Sequence, residues 1–127
     1  MRICLDTNTY RLYMDADQKA VTLLRAAASL YMPIPVLAEL RFGFSNGTRG
    51  KQNEGFLVKF LDTPRVHLLD CTEQTTQYYA ELKLQLKKQG TPIPINDVWI
   101  AALVLQHRLS LYTLDSDFDR IPQLSRV

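Results

Sequence analysis

The chain has 127 residues, of which 46% are hydrophobic and 22% are charged, a balance typical of a single globular domain, residues 1–127, with its own hydrophobic core. Its net charge of +2 is too small to indicate nucleic-acid binding by itself. We find no signal-peptide pattern and no apolar run near the roughly 20 residues that a membrane-spanning helix needs, and Cys4 and Cys71 are too few for a disulfide framework, so we expect a cytoplasmic protein.

The N-terminal part of the chain predicts strands that alternate with helices. Met1–Leu5 has the composition of a short strand, Lys19–Ser29 is rich in alanine and leucine and predicts a helix, and Leu30–Met32 predicts a second strand. A further helix should begin at about Pro35, because proline is favoured in a first turn, and run to Phe44. The glycine-containing stretch Phe44–Gly55 predicts a loop or a frayed helix junction, after which the helical spacing of apolar residues resumes.

The C-terminal part continues this alternation. Val66–Leu69 predicts a third strand, and a long helix follows from Thr72 until Gly90 ends it. Asn96 is able to cap a helix over Asp97–His107, and Ser110–Leu114 predicts a fourth strand. Strands that alternate with helices indicate a parallel sheet covered on both faces, so the predicted fold is a three-layer α/β domain with a short central parallel sheet.

Two acidic residues directly follow predicted strands. Asp6 comes after the first strand and Asp115 comes after the fourth. In open α/β sheets ligands bind at the carboxyl ends of the strands, so both acids should reach that edge if the two strands are neighbours. Taken singly, each is more simply explained as a turn or cap residue.

Two more acidic residues lie in helices that should be buried. Both helices, Pro35–Phe44 and Asp97–His107, are apolar nearly all round, which predicts burial. Glu39 in the first of them then needs a partner, because burying an unpaired charge is strongly unfavourable. That partner is either a metal ion or a basic residue such as Arg41. Asp97 lies in a first turn, where a capping role would explain it, but Asn96 is already available as the cap.

Together Asp6, Glu39, Asp97 and Asp115 form a candidate site. Carboxylates that converge repel one another by roughly 4 kcal/mol per pair at about 4 Å and a dielectric constant near 20, and divalent cations relieve this repulsion. An all-oxygen ligand set suits Mg²⁺ or Mn²⁺ rather than zinc, and neither histidine has the spacing of a zinc site. Such ions activate a water molecule and neutralise charge on a phosphodiester. The constellation therefore predicts metal-dependent phosphodiester chemistry.

Three acids lie close together near the C-terminus, and not all of them are expected in this site. Asp115, Asp117 and Asp119 are spaced by two residues, so an extended chain would place all three on one face. Asp115 comes first after the strand, and apolar residues beginning with Phe118 should anchor the following segment in the core, away from the cluster. We therefore expect Asp115 in the site and Asp119 on the surface, paired with Arg120 or with a neighbouring helix.

Four segments of the chain, in this order and spacing, resemble those of the PIN-domain family, particularly the VapC-type toxins of bacterial toxin–antitoxin pairs. They are Leu5–Asn8, Leu37–Gly43, Pro94–Ala102 and Thr113–Phe118. The resemblance extends over nearly the whole chain. It implies the three-layer α/β fold, dependence on Mg²⁺ or Mn²⁺, and endonucleolytic cleavage of RNA that leaves 5′-phosphate and 3′-hydroxyl ends.

The resemblance also implies roles for residues and partners. Matched by motif, the metal-binding and catalytic acids are Asp6, Glu39, Asp97 and Asp115, and Thr113 corresponds to a hydroxyl residue that supports the site. Members of the family commonly form homodimers and are inhibited by a cognate antitoxin protein. By this resemblance the antitoxin docks on helices corresponding roughly to Pro35–Leu61 and reaches the acidic pocket.

The chain departs from the family pattern in two places. Relatives commonly carry serine or threonine before the helix that bears the glutamate, where this chain has Pro33-Ile34-Pro35, so the start of that helix is expected to differ. The chain also ends at Val127, which leaves little room for a last edge strand. Neither departure involves an acid of the candidate site.

Two other functions compete with a ribonuclease. The first is a phosphotransferase or phosphatase with Asp6 as nucleophile, as in haloacid-dehalogenase-like hydrolases, but those enzymes need a second acid two residues along, where this chain has Asn8. The second is a non-enzymatic RNA- or protein-binding module whose acids are structural. Trapping of Asp6 with a phosphate mimic would identify the first, and binding without metal-dependent cleavage would identify the second.

Overall fold

The computed structural model describes residues 1–127 as four strands, six α-helices and one short 3-10 helix. The strands are β1 Arg2–Leu5, β2 Ser29–Pro33, β3 Val66–Leu69 and β4 Ser110–Tyr112. The helices are α1 Thr7–Met14, α2 Gln18–Ala26, α3 Ile34–Ser45, α4 Gly50–Leu61, α5 Glu73–Gln89 and α6 Ile95–Gln106, and the 3-10 helix is Ser116–Arg120.

The four strands form one parallel sheet in the order β3-β2-β1-β4. The strands β1 and β4 are neighbours, with Cys4 opposite Leu111 and Leu5 opposite Tyr112. Successive side chains of a strand point to opposite faces, and Ile3, Cys4 and Leu5 are all fully buried, so helices cover both faces of the sheet. The predicted three-layer α/β fold with a short parallel sheet is confirmed.

The outer edge of β4 is closed by the last residues of the chain. Arg126 forms a single parallel bridge to Leu111, in which the Leu111 N–H donates to Ser125 O (2.8 Å) and the Val127 N–H donates to Leu111 O (3.1 Å). This contact is an isolated bridge and not a fifth strand.

The structure differs from the predicted elements on either side of β2. The helix α1 was not predicted; it begins directly after β1 because Asp6 caps it and forms a capping box with Thr9. Of the two alternatives for Phe44–Gly55, a loop or a helix junction, the structure has the junction, because α3 ends at Ser45 and α4 already begins at Gly50. A Cβ atom at Gly50 would lie 2.7 Å from the Phe44 carbonyl oxygen, so this glycine permits a tight corner between α3 and α4 rather than a loop.

Other predictions along the chain hold. The helix α5 ends at Gly90, which has a left-handed conformation with φ of 70°. The helix α6 is buried along most of its length, as its composition predicted. Both cysteines are free thiols, Cys4 buried and Cys71 exposed. No helix combines the length and the apolar character that crossing a membrane requires.

Candidate active site

The four predicted acids line one pocket at the carboxyl edge of the sheet. This pocket, which we call the acid pocket, has a volume of about 350 Å³. Its lining residues are Asp6, Thr7, Asn8, Arg11, Glu39, Phe42, Gly43, Asp97, Ile100 and Asp115. The topology explains the convergence, because β1 and β4 are adjacent and the residues that follow them meet at the same edge.

Asp6 is the most enclosed of the four acids, with 6% of its surface exposed. Its Oδ1 accepts hydrogen bonds from the Thr9 N–H (2.9 Å) and the Thr9 hydroxyl (2.8 Å). Its Oδ2 accepts from the Thr113 hydroxyl at 2.6 Å, so Thr113 lies where the family resemblance implied. With both oxygens hydrogen-bonded, Asp6 is suited to a fixed ligand position rather than to nucleophilic attack.

Glu39 is held by two polar neighbours from other helices. Its Oε2 accepts from the Thr7 hydroxyl (3.1 Å) and its Oε1 accepts from Asn96 Nδ2 (3.0 Å). The alternative ion pair with Arg41 is wrong, because Arg41 pairs with Glu54 at 2.9 Å on the surface.

Two further sequence expectations about these helices are corrected. The helix α3 is not buried all round, since Phe42 is 72% exposed, and only one side of the helix packs in the core. Asn96 does not cap α6, because the helix already begins at Ile95 and Pro94 occupies the cap position. The Asn96 side chain is thereby left to contact Glu39.

Asp97 lies in the first turn of α6 and is half-buried beside the other acids. The pKa of Asp97 is raised to about 7, most of all by desolvation and then, in decreasing order of effect, by the negative charges of Asp115, Glu39, Asp117 and Asp6. A carboxylate in this position is unfavourable near neutral pH unless a cation compensates it. A carboxyl group whose pKa is raised by burial and by like charges in a pocket marks a candidate functional site.

Asp117, whose place the sequence left open, also reaches the cluster. Carboxylate oxygens of Asp97, Asp115 and Asp117 all lie within 4.8 Å of one another. The strand alternation assumed for these residues is wrong, because Asp115 caps the 3-10 helix by accepting from the Asp117 N–H (2.9 Å). That turn brings Asp117 back to the cluster, where it also lies 3.4 Å from Arg120.

The residues beyond this turn behave as predicted in part. Phe118 and Ile121 are buried and anchor the segment. Asp119 is exposed, as expected, but its partner is Arg126 rather than Arg120.

Two polar residues of the acid pocket, Asn8 and Arg11, were not singled out from the sequence. Both lie on α1, so they were overlooked together with that helix. Residues Thr7 and Arg11 are four positions apart and share a helix face, and this spacing is the signal that recognition of α1 would have supplied.

The residue set fits a divalent metal ion. The donors are carboxylate oxygens, which Mg²⁺ and Mn²⁺ prefer. Asp6 and Glu39 are oriented by hydroxyl and amide donors, as metal ligands commonly are. The negative charges of the neighbouring acids contribute to the raised pKa of Asp97, and a bound cation would relieve this repulsion.

Comparison with known proteins gives a consistent result. The sequence profile of the PIN domain matches residues 3–124. The chain is similar to Ribonuclease VapC2 of Rickettsia felis, with 33% identity over 125 residues, covering 94% of this chain and 92% of that protein. It is also similar to Ribonuclease VapC1 of Haemophilus influenzae, with 31% identity over 124 residues and the same coverage of both chains, 94% and 92%.

A solved structure resembles this one over its full length. The crystal structure of VapBC2 from Rickettsia felis bound to a DNA fragment from their promoter aligns with a TM-score of 0.89 and 30% identity, covering 100% of this chain and 98% of that one.

Proposed function

The chain belongs to the PIN-domain family, and from this membership we propose that it is a metal-dependent endoribonuclease and the toxin of a toxin–antitoxin pair. The relatives named as ribonucleases support RNA cleavage by hydrolysis. The observation that carries the proposal is the convergence of Asp6, Glu39, Asp97 and Asp115 in one pocket. We propose further that residues 1–127 act as one PIN domain.

In this proposal the four acids hold Mg²⁺ or Mn²⁺ and Asp117 lies close enough to assist. A bound ion supplies a water of lowered pKa and neutralises charge on the phosphate. The protein's own contribution is orientation. Thr113 and Thr9 fix both oxygens of Asp6, while Thr7 and Asn96 fix those of Glu39, and such orientation of ligands is worth roughly tenfold to 100-fold in metal affinity or activity.

The second part of the proposal concerns protein partners. The similar solved structure is a VapBC complex, and we propose that a cognate antitoxin binds this chain on α3 and α4, within Pro35–Leu61. Large apolar side chains are exposed there, with Phe42 at 72%, Val58 at 51% and Phe56 at 48%, which is the surface that a protein partner covers. We also propose a homodimer and a cytoplasmic location, in line with the family resemblance and the free cysteines.

The proposed activity is tested by sequencing the 5′ ends of RNA from cells in which the chain is induced. Wild-type protein should create new 5′ ends at defined sites, and Asp97→Asn should create none although it accumulates to the same level. New ends shared by both proteins, or no new ends with wild type, would contradict the proposal.

A further inference from the structure

Arg11 is the only basic residue that lines the acid pocket. Its side chain is exposed and makes no hydrogen bond, and the three ion pairs of the structure all involve other arginines. Arg11 therefore reaches the rim of a pocket rich in carboxylates without pairing with any of them. Its guanidinium remains free to bind an anion.

Gly43 on α3 leaves room for this position. A Cβ atom at residue 43 would lie 2.8 Å from Arg11 Nη2, so a side chain there would displace the flexible end of Arg11. The guanidinium of α1 thus lies directly against the backbone of α3. Because Gly43 and Arg11 both line the acid pocket, this contact places the positive charge at the pocket's mouth.

A second pocket lies next to the acid pocket. It has a volume of about 250 Å³, and it shares Arg11 and Gly43 with the acid pocket. Its other lining residues include three aromatic residues, Tyr10, Phe44 and Phe56, and also Asn53. Phe56 is 48% exposed, so its ring is accessible. We call this cavity the side pocket.

We propose that Arg11 and the side pocket form a nucleotide subsite, in which Arg11 binds a backbone phosphate beside the acid pocket and the attached base enters the side pocket. The inference rests on the proposed ribonuclease function. An RNA strand that crosses the acid pocket carries phosphates past its mouth, where Arg11 is the available cation. Aromatic rings stack on bases, and an asparagine amide bonds to base edges.

The composition of the side pocket favours a nucleotide over a side chain of a protein partner. The side pocket shares the Arg11 guanidinium with the acid pocket, and the planar donors of a guanidinium match phosphate geometry. Asp15 also lines the side pocket. Its negative charge repels a second phosphate there but does not repel a neutral base.

The first test measures cleavage of a synthetic RNA that contains a site mapped in cells. Arg11→Gln should raise KM about tenfold, because a charge-assisted hydrogen bond is lost, with a much smaller change in kcat. The salt dependence of log KM should become less steep by about 0.7, the value for one phosphate on a single strand. Arg25→Gln is the matched control, since Arg25 is exposed on α2 and its substitution changes the net charge by the same amount.

The position of the guanidinium is tested by Gly43→Ala. The added methyl group displaces the flexible end of Arg11, so Gly43→Ala should raise KM in the wild-type background and have little further effect in Arg11→Gln. Additive effects of the two substitutions would contradict a shared phosphate contact.

The base-binding part is tested with abasic RNAs. An abasic nucleotide on one flank of the cut should raise the KM of the wild-type protein. Phe56→Ala should raise the KM for the intact RNA and leave the KM for the abasic RNA unchanged. Val58→Ala, an equally exposed site on α4 outside the side pocket, should change neither.

The outcomes separate this inference from the proposed function. Wild type that cleaves RNA, together with Arg11→Gln and Phe56→Ala variants that behave like their controls, overturns the subsite and assigns the side pocket to a protein partner. Wild type that cleaves no RNA overturns the ribonuclease proposal and the subsite with it.

Discussion

Replacing Asp97 by asparagine should stabilise the metal-free protein while it removes activity. Asparagine keeps the volume of the side chain and removes the negative charge, which burial and the neighbouring acids disfavour. The rise in the pKa of Asp97 from 3.8 to about 7 corresponds to about 4 kcal/mol. Since the side chain is only half-buried, solvent screening reduces this to about 2 kcal/mol. The substitution also removes a negative charge that the dipole of α6 stabilises, which lowers the expected gain in the free energy of unfolding by about 0.5 kcal/mol.

The sign of this effect depends on pH in a defined way. Because the folded pKa of Asp97 lies above the unfolded value, the folded state holds a proton that the unfolded state has lost between about pH 4 and pH 7. The free energy of unfolding therefore falls as pH rises through this window, and the full penalty is present above it. Asp97→Asn should be more stable than wild type by about 1 to 2 kcal/mol near pH 8, and this advantage should vanish near pH 4.

Urea unfolding in EDTA at both pH values measures this difference. Asp70→Asn is the matched control, since Asp70 follows β3 at the same edge of the sheet but is exposed, and its substitution should change stability little at either pH. An Asp97→Asn variant that is less stable than wild type near pH 8, or equally shifted at both pH values, would refute the electrostatic reasoning.

Three further predictions follow from the acid pocket. Mn²⁺ should raise the thermal midpoint of the wild-type protein, because a Mn²⁺ concentration of 100 times the dissociation constant adds about 2.7 kcal/mol to the free energy of unfolding. A melting curve that Mn²⁺ does not change would argue against metal binding. Thr113→Val should lower the cleavage rate about tenfold, because the hydrogen bond that orients Asp6 is lost, and its circular dichroism spectrum should stay unchanged; wild-type rates would show that the bond has no functional role. In parallel cleavage assays Asp115→Ala should cost the most, Asp117→Ala less and Asp119→Ala almost nothing; a larger loss in Asp117→Ala would exchange the roles of the first two.

The sequence allowed the fold and the meeting of four acids to be predicted, because both depend on short-range patterns. Acids placed directly after strands reach the carboxyl edge in any parallel sheet. Only the adjacency of β1 and β4 was left open, since strand order depends on contacts that are distant in the chain, and the structure supplies it. Glu39 and Asp97 were conspicuous as charged residues in apolar helices.

The features that were missed depend on local hydrogen bonds that leave little trace in composition. The helix α1 was overlooked because its capping box uses a threonine, Thr9, where glutamate or glutamine is usual. Arg11 was overlooked for the same reason. The placement of Asp117 depends on the hydrogen bond from its N–H to Asp115, which turns the chain where alternation predicted extension. The exposure of Phe42 shows that an apolar helix can leave one face outside the core.

Cleavage of a mapped RNA by the purified protein, with and without Mn²⁺, tests most directly whether the convergent acids form a metal-dependent ribonuclease. Wild type and the Asp70→Asn control should cut the RNA only with Mn²⁺ and leave a 5′-phosphate. Asp6→Asn retains an acceptor for the α1 cap and should fold normally, yet cut slower by roughly 100-fold or more. Cleavage by Asp6→Asn at the wild-type rate, or cleavage that persists in EDTA, would contradict the account.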